Sequence, residues 1–368
     1  MIKSKAINRL IIYFFATTLF ILNYTTVLAI HEKAMHFFSA ENKNIQYTGR
    51  VAFTNGERPR FWQPGVYITA RFEGASCSFI VNDEELWGKS HNYIEVVVDD
   101  TIFYRMQTKS KTDTISVAKN LQPGTHTIVI CKNTEANIGY LEFVGFLCNK
   151  LLSLPVKPKR KLEFIGDSIT CGTGSDQSQV PCGKGKWEDQ HNAYMSYGPV
   201  AARKLNAQWH LSAVSGIGMI HSCCNMNVIM PQVYDKVSMR NDTILWNFNN
   251  YQPDAVTICL GQNDGIRDSA VFCSTYVKFI KTLRSYYPDA AIVCLTSPMA
   301  DANLTPVLQK YLNRIVNYVN NNGDKKVYGF FFSKQYNNGC DGHPDLAQHQ
   351  LIANKLSVFL SKLLNWKS

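Results

Sequence analysis

Two stretches of the chain differ in the spacing of their apolar residues. From about Asn44 to Cys148, apolar and polar side chains alternate over short runs, the first of which is Val66–Phe72. Turn-forming pairs such as Glu73-Gly74 and Pro123-Gly124 separate the runs. Further runs of this kind are Tyr93–Val98, Ile102–Met106, Thr125–Cys131 and Tyr140–Leu147. Many short strands with almost no helical periodicity predict a β-sandwich of the jelly-roll type.

After about residue 157 the pattern changes to alternating strands and helices. The predicted strands are Leu162–Ile165, Trp209–Val214, Ala255–Leu260, Ala291–Leu295 and Val327–Phe332. The predicted helices lie near Tyr194–Leu205, Val271–Tyr286, Thr305–Asn320 and Leu346–Leu364. Alternation of this kind predicts an α/β domain in which helices cover both faces of a parallel five-stranded sheet.

A dense basic run, Lys157-Pro158-Lys159-Arg160-Lys161, stands between the two patterns. We interpret it as a solvated linker that separates a β-sandwich domain (residues 30–156) from a second domain (residues 157–368). The chain of 368 residues, 45% of them hydrophobic, is long enough for two cores. Its net charge of +10 invites a nucleic-acid interpretation. We expect no nucleic-acid partner, because no binding module accompanies the basic run.

The first 29 residues have the layout of a secretory signal peptide. Lys3, Lys5 and Arg9 precede the apolar block Leu10–Leu22, and the small residues around Ala29 offer a cleavage point. The apolar block is shorter than the roughly 20 residues that span a bilayer. We therefore expect a secreted protein without stable membrane insertion after cleavage; an uncleaved anchor is the alternative.

Secretion changes the interpretation of the eleven cysteines, because disulfides persist in oxidising compartments. Cys171 and Cys182 bracket one loop and could close it with a disulfide. Cys223 and Cys224 are adjacent, so at most one of them is expected to pair with a given distant cysteine. An odd total leaves at least one thiol free or paired between chains. Two cysteines lie within apolar strand-like runs and are expected to be buried thiols: Cys259 and Cys294.

A candidate nucleophile, Ser168, follows the first predicted strand of the second domain within Gly166–Thr170. The preceding glycine permits a sharp backbone turn, so the serine hydroxyl can stand at the rim of the sheet. Three further blocks follow other predicted strands: Ser215–Gly218, Gly261–Asp264 and Asp341–His343. In parallel sheets the reactive groups lie beyond the carboxyl ends of the strands, so the four blocks are expected to converge.

These blocks supply what an acyl-transfer site needs. Ser168 would attack a carbonyl, His343 would take its proton, and Asp341 could fix the imidazole tautomer. The backbone N–H groups of Ser168 and Gly216, with the side-chain amide of Asn263, would bind the oxyanion. Singly, each block has a simpler interpretation as a helix cap or a turn. Chance is a weak explanation for four such blocks in this order.

The four blocks resemble those of the SGNH hydrolases, also called GDSL esterases, with Ser168, Gly216, Asn263 and His343 matching in order. The preceding sandwich and the ending Asp341–Pro344 more narrowly resemble carbohydrate esterase family 2. The resemblance implies a jelly-roll domain ahead of a flavodoxin-like SGNH domain. It also implies a secreted, metal-independent enzyme without a cofactor that removes acetyl groups from polysaccharides or oligosaccharides.

One position departs from the broader family pattern. That pattern places the acid three residues before the histidine, where this chain has Cys340. Asp341 lies two residues before His343, a tight span for a carboxylate to reach back to the ring. In the narrower family a backbone carbonyl can take the acceptor role instead, so the partner of the imidazole stays open.

Other functions compete with a polysaccharide deacetylase. The Gly-x-Ser-x-Gly elbow of α/β-hydrolases is absent around Ser168 because position 170 is threonine, which disfavours an ordinary lipase. A GDSL lipid esterase, acyl transfer between sugars and a non-catalytic secreted carbohydrate-binding protein stay open. The weakness of the binding-protein alternative is that a binding protein would need neither Ser168 nor His343.

Overall fold

A computed structural model of the chain describes residues 34–54, 56–118, 121–240 and 243–367. The predicted signal peptide, residues 1–29, lies outside the described residues. Among the helices described, none is long and apolar enough to cross a membrane.

The N-terminal part of the described chain forms an antiparallel sheet domain with a jelly-roll architecture. Its described strands are β1 (His36–Ser39), β2 (Ile45–Thr48), β3 (Arg60–Phe61), β4 (Tyr67–Asp83), β5 (Tyr93–Val98), β6 (Ile102–Gln107), β7 (Thr112–Ala118), β8 (Thr125–Lys132) and β9 (Leu141–Leu152). Alternate residues of these strands meet in one core that includes Phe72, Phe79, Phe143 and Phe146. The alternation of apolar residues therefore marks the buried face of each strand.

Strand β4 is the central strand of this domain and pairs with four others. Its first half pairs with β2 and β8, its second half pairs with β7, and β9 pairs with β4 on both sides of a bulge. The turn predicted at Glu73-Gly74 is wrong, because β4 continues through it. Gly74 adopts a φ of +122°, and the register with β9 shifts between Glu73 and Cys77. A left-handed glycine and a bulge thus bend the strand without ending it.

The C-terminal part contains a parallel five-stranded sheet in the order β11-β10-β12-β13-β14. Its strands are β10 (Arg160–Gly166), β11 (Ala207–Ala213), β12 (Ala255–Cys259), β13 (Ala291–Leu295) and β14 (Val327–Phe330). The described helices are α1 (Ser168–Cys171), α2 (Tyr197–Lys204), α3 (Met230–Val233), α4 (Ser269–Tyr286), α5 (Leu304–Asn321) and α6 (Leu346–Leu363). Strands β12 and β13 are buried along their whole length, which explains why β13 is apolar throughout and Thr257 is the one polar residue of β12.

Two cores cover the faces of this sheet. One contains residues of α4 and α5, such as Ile280 and Leu312. The other contains residues of α2 and α6, such as Ala201 and Leu356. Aspartate caps begin two of the long helices: Asp268 accepts hydrogen bonds from the first turn of α4, and Asp345 does so for α6.

The two sheet domains share a buried interface. Tyr67 of β4 stacks on Trp209 of β11 with ring centroids 4.0 Å apart. Arg50 and Glu163 form an ion pair at 3.2 Å whose side chains are both fully buried. The basic run is not a wholly solvated linker: it enters β10 at Arg160, and Lys157 donates to Tyr47 O and Thr48 Oγ1. Burial lowers the pKa of Lys157 to about 8.

Candidate active site

Ser168 begins α1 directly beyond the carboxyl end of β10, the strand between β11 and β12. Asp167 caps this short helix by accepting from Ile169 N at 3.1 Å. A side chain at Gly166 would collide with Thr170 Oγ1, since a Cβ there would lie 2.0 Å from that atom. Glycine is therefore required for the turn that lifts Ser168 to the rim of the sheet, where its side chain is 8% exposed.

His343 lies beside Ser168 although 175 positions separate them in the chain. The imidazole Nε2 is 2.8 Å from Ser168 Oγ, and Nδ1 is 3.0 Å from the carbonyl oxygen of Cys340. Because a carbonyl can only accept, Nδ1 carries the proton and Nε2 is free to accept from the serine hydroxyl. Burial lowers the pKa of His343, while the Cys340 carbonyl and the charge of Asp341 oppose that shift. The geometry is that of a nucleophile with its base.

Asp341 does not occupy the position of an orienting carboxylate. Its side chain is exposed and makes no hydrogen bond to the His343 ring. The residue adopts a left-handed backbone with φ +52° within the single turn Cys340–Gly342. The carbonyl of Cys340 holds the imidazole instead, and Asp341 acts on the ring only through its charge.

The predicted oxyanion donors also lie at this edge. Gly216 follows β11 with a φ of +83°, and a Cβ there would lie 2.9 Å from Cys223 Sγ. Among the described residues, no acceptor takes the backbone N–H of Ser168 or of Gly216. Asn263 Nδ2 donates to Ile217 O at 3.0 Å and to Asp167 Oδ2 at 3.3 Å. Two backbone donors are thus unengaged, and the amide is held next to the nucleophile helix.

Two buried carboxylates support these loops. Asp264 accepts from the backbone N–H groups of Met219, Ile220 and His221 at 2.6–3.0 Å, which fixes the chain beyond Gly216. Burial raises the pKa of Asp264 and outweighs these hydrogen bonds. Burial also raises the pKa of Asp167 to about 7, and the nearby charge of Asp264 contributes to that shift. The loops that carry the predicted oxyanion donors are therefore tied together by hydrogen bonds to buried carboxylates.

The predicted closure of one loop by Cys171 and Cys182 is wrong. Cys182 pairs with Cys340, 158 positions away, whereas Cys171 is a buried free thiol. The adjacent Cys223 and Cys224 are bonded to each other. The prediction for two strand cysteines is confirmed, since both are buried and free: Cys259 and Cys294. The Cys182–Cys340 bond ties a surface loop to the residue whose carbonyl holds His343.

One residue near the site was not predicted from the sequence. Glu135, between β8 and the single turn Ala136–Ile138 of the sandwich domain, accepts from Ser215 N at 2.6 Å. Nothing in the local sequence distinguishes it from a surface loop glutamate. Only the packing of one domain on the other brings it to the carboxyl end of β11.

A cleft of about 500 Å³ reaches the chain neighbours of two predicted site residues. Gln262 and Gly342, the neighbours of Asn263 and His343, contribute to its wall. Other residues lining it are Gly265, Ile266, Met299, Asp301, Asn303, Leu304, Gln335 and Asn337. The wall combines polar and apolar groups in similar shares. Within the described residues, no group of three or more His, Cys, Asp or Glu side chains is arranged to hold a metal ion.

Two family matches divide the chain at the same place as the change in its architecture. Residues 47–155 match the family described as Carbohydrate esterase 2 N-terminal. Residues 164–323 match the GDSL-like Lipase/Acylhydrolase family.

Relatives of known structure or name are similar over most of the chain. A family two carbohydrate esterase from Clostridium thermocellum, solved with cellohexaose, superimposes with a TM-score of 0.81 at 31% identity, covering 88% of this chain and all of that one. The cellulase/esterase CelE of Acetivibrio thermocellus is 33% identical over 89% of this chain, which spans only 40% of that protein. An acetylxylan esterase/glucomannan deacetylase of Cellvibrio japonicus is 26% identical, covering 90% of this chain and 92% of that protein.

Proposed function

The chain belongs to carbohydrate esterase family 2, and from that premise we propose that it is a secreted serine esterase that removes O-acetyl groups from polysaccharides. The observation that carries the proposal is the 2.8 Å contact between His343 Nε2 and Ser168 Oγ. A hydroxyl with an imidazole base on one side and unengaged N–H donors on the other suits acyl transfer.

The proposed reaction proceeds through an acetyl-serine. Ser168 Oγ attacks the acetyl carbonyl carbon while its proton passes to His343 Nε2. The ester C–O bond then breaks, and His343 returns that proton to the departing sugar oxygen. Water attacks the acetyl-serine with His343 as base, acetate leaves, and Ser168 recovers its proton. The oxyanion of each tetrahedral intermediate would be bound by the N–H groups of Ser168 and Gly216 and by Asn263.

The polar groups of the cleft are suited to a sugar ester. Amide and carboxylate side chains such as Gln262, Asp301 and Gln335 can hydrogen-bond sugar hydroxyl groups, while the apolar part of the wall can pack against the faces of sugar rings. The similar proteins named for acetylxylan, glucomannan and cellohexaose point to β-linked plant polysaccharides. We therefore propose acetylated xylan or glucomannan as the substrate.

The place of action proposed is extracellular. The support is the signal-peptide pattern of residues 1–29 and the Cys182–Cys340 disulfide, which favours an oxidising compartment. N-terminal sequencing of the protein recovered from the medium tests this part separately from the chemistry.

The deciding experiment measures acetate released from acetylated xylan and acetylated glucomannan by the wild type and by Ser168→Ala. We expect the wild type to release acetate and the variant to lose at least about 10⁴-fold of kcat while staying folded. Ser274→Ala, on the exposed face of α4, is the matched control and should keep full activity. Wild-type activity in Ser168→Ala would end the proposal.

Two other outcomes would assign the chain to a different function. Glycan binding without acetate release would indicate a carbohydrate-binding protein. Acetyl transfer to an added sugar in preference to water would indicate an acyltransferase. If neither acetate release nor binding occurs, lipid esters become the next substrates to test.

A further inference from the structure

We propose that Glu135, a residue of the sandwich domain, is a positioning residue for the oxyanion site of the hydrolase domain. The inference rests on the proposed function, because it concerns the donor that would stabilise the tetrahedral intermediate. It assigns the N-terminal domain a part in positioning the oxyanion site, in addition to its packing against the hydrolase domain.

The Glu135 carboxylate connects the two elements that carry the reacting groups. Its side chain is buried, with the residue 1% exposed. Oε2 accepts from the backbone N–H of Ser215 at 2.6 Å and from Cys171 Sγ at 3.8 Å. Ser215 directly precedes Gly216, and Cys171 is the last residue of the helix that Ser168 begins. A single carboxylate therefore spans the nucleophile helix and the oxyanion loop.

This contact is the one that holds the backbone N–H directly before Gly216. Ser215 is otherwise held through its hydroxyl, 2.8 Å from Thr173 Oγ1, and no other described residue accepts its N–H. A buried N–H without an acceptor costs free energy, so loss of Glu135 would favour a different orientation of the peptide group that carries the Ser215 N–H. The next peptide group carries the Gly216 N–H and would be displaced with it. An oxyanion donor works only when it is held within a fraction of an ångström of its productive place.

Glu135 is itself anchored in its own domain. Its backbone carbonyl accepts from Lys132 Nζ at 3.1 Å, and the same ammonium donates to Thr134 O at 2.6 Å. Burial raises the pKa of Glu135, and the Ser215 N–H works against that shift. The carboxylate thus reaches the oxyanion loop from a short loop after β8 that Lys132 ties by hydrogen bonds, which is a suitable support for a positioning residue.

The test compares three substitutions of Glu135 in the full chain, using kcat and KM for p-nitrophenyl acetate. Glu135→Ala removes the acceptor, and Glu135→Asp keeps the charge but shortens the reach by one methylene. Glu135→Gln keeps both the reach and an acceptor oxygen. We expect kcat to fall about tenfold or more in Ala and in Asp, with KM within about twofold, and to stay within about threefold in Gln.

Glu95 provides the matched control. It is also a buried carboxylate between the domains, accepting from Asn133 Nδ2 at 2.9 Å and Asn192 Nδ2 at 3.3 Å, but it contacts neither Ser215 nor Cys171. Glu95→Ala should lower Tm and leave kcat within about threefold of the wild type.

The outcomes separate positioning from folding and from the proposed function. If kcat falls equally in Glu95→Ala and Glu135→Ala, or if Glu135→Asp keeps wild-type kcat, the positioning role is overturned. If Glu135→Ala does not fold, the comparison of kcat between Glu135→Gln and Glu135→Asp decides by itself whether Glu135 has the positioning role. A wild type inactive on every acetyl ester would overturn the esterase proposal, and the inference would fall with it.

Discussion

The nucleophile and its base are held in place by different kinds of structure. Ser168 stands at the end of β10, which is hydrogen-bonded on both sides to β11 and β12, and begins a capped helix. His343 belongs to no strand or helix. It lies between the single turn Cys340–Gly342 and the start of α6.

The histidine segment is held by a few discrete bonds instead of a sheet. Cys340 N donates to Gly174 O at 2.8 Å, and Gly339 N donates to His343 O at 2.6 Å. The disulfide to Cys182 adds a covalent tie. Because Gly174 follows the nucleophile helix, the base is positioned relative to the serine. The comparison therefore predicts large losses when the serine side is altered and smaller, graded losses when supports of the histidine are removed.

The largest expected effect in this comparison comes from the serine side. Asn263→Ala removes a donor next to Ser168, and we expect kcat to fall by about 10²–10³ with KM little changed. The amide now donates to Ile217 O and, more weakly, to Asp167 Oδ2 at 3.3 Å. When the oxyanion forms, it would take the place of Asp167 Oδ2 as an acceptor of a hydrogen bond from the Asn263 amide.

Steady-state kinetics of acetate release measure the effect of Asn263→Ala, with a thermal melt to verify folding. Asn249→Ala, in an exposed turn, is the control and should leave kcat unchanged. A loss below about threefold in Asn263→Ala would remove the amide from the oxyanion site.

The difference between a serine positioned by a sheet and a histidine positioned by loops explains what could be predicted from the sequence. The strands of the parallel sheet each contain apolar residues next to turn-forming blocks, so the strand ends, and with them Ser168, Gly216 and Asn263, follow from local patterns. The Cys182–Cys340 pairing could not be predicted, because it joins segments that are near only in the folded protein. Glu135 is likewise a loop residue whose role depends on contact between two domains.

An intermediate effect is expected from the disulfide. The double variant Cys182→Ser/Cys340→Ser keeps the Cys340 carbonyl position in the chain but frees the segment that carries it. We expect kcat to fall about tenfold, because the imidazole is less firmly held, together with a lower Tm since a long loop is no longer closed.

Chemical reduction of the wild type tests the same disulfide without a substitution, because the Cys182 side of the bond is exposed to solvent. The wild type should lose activity in dithiothreitol to about the level of the double variant, which should itself be insensitive. If the double variant also loses activity on reduction, the Cys223–Cys224 bond beside Gly216 is the one that matters. Full activity of the double variant would mean that the backbone hydrogen bonds suffice to hold His343.

The smallest effect is expected from Asp341→Asn, although the sequence alone made this residue the candidate for the catalytic acid. His343 Nδ1 faces the Cys340 carbonyl, so removing the carboxylate leaves the tautomer intact, and kcat at pH 8 should fall less than about threefold. His343 must be neutral to accept the serine proton, so activity is lost as pH falls through its pKa. Burial lowers that pKa below 6.5, and the charge of Asp341 partly offsets the shift.

Asp341→Asn removes that offset, so the acid limb of kcat/KM should move to lower pH, whereas Asp289→Asn, far out on the surface, should not move it. An orienting carboxylate behaves differently, since its loss permits the wrong tautomer and costs about 10⁴ in kcat. A loss of that size in Asp341→Asn would show that the ring changes partners during turnover. The position of His343 would then depend on the Asp341 side chain, and the contrast between how His343 and Ser168 are held would no longer apply.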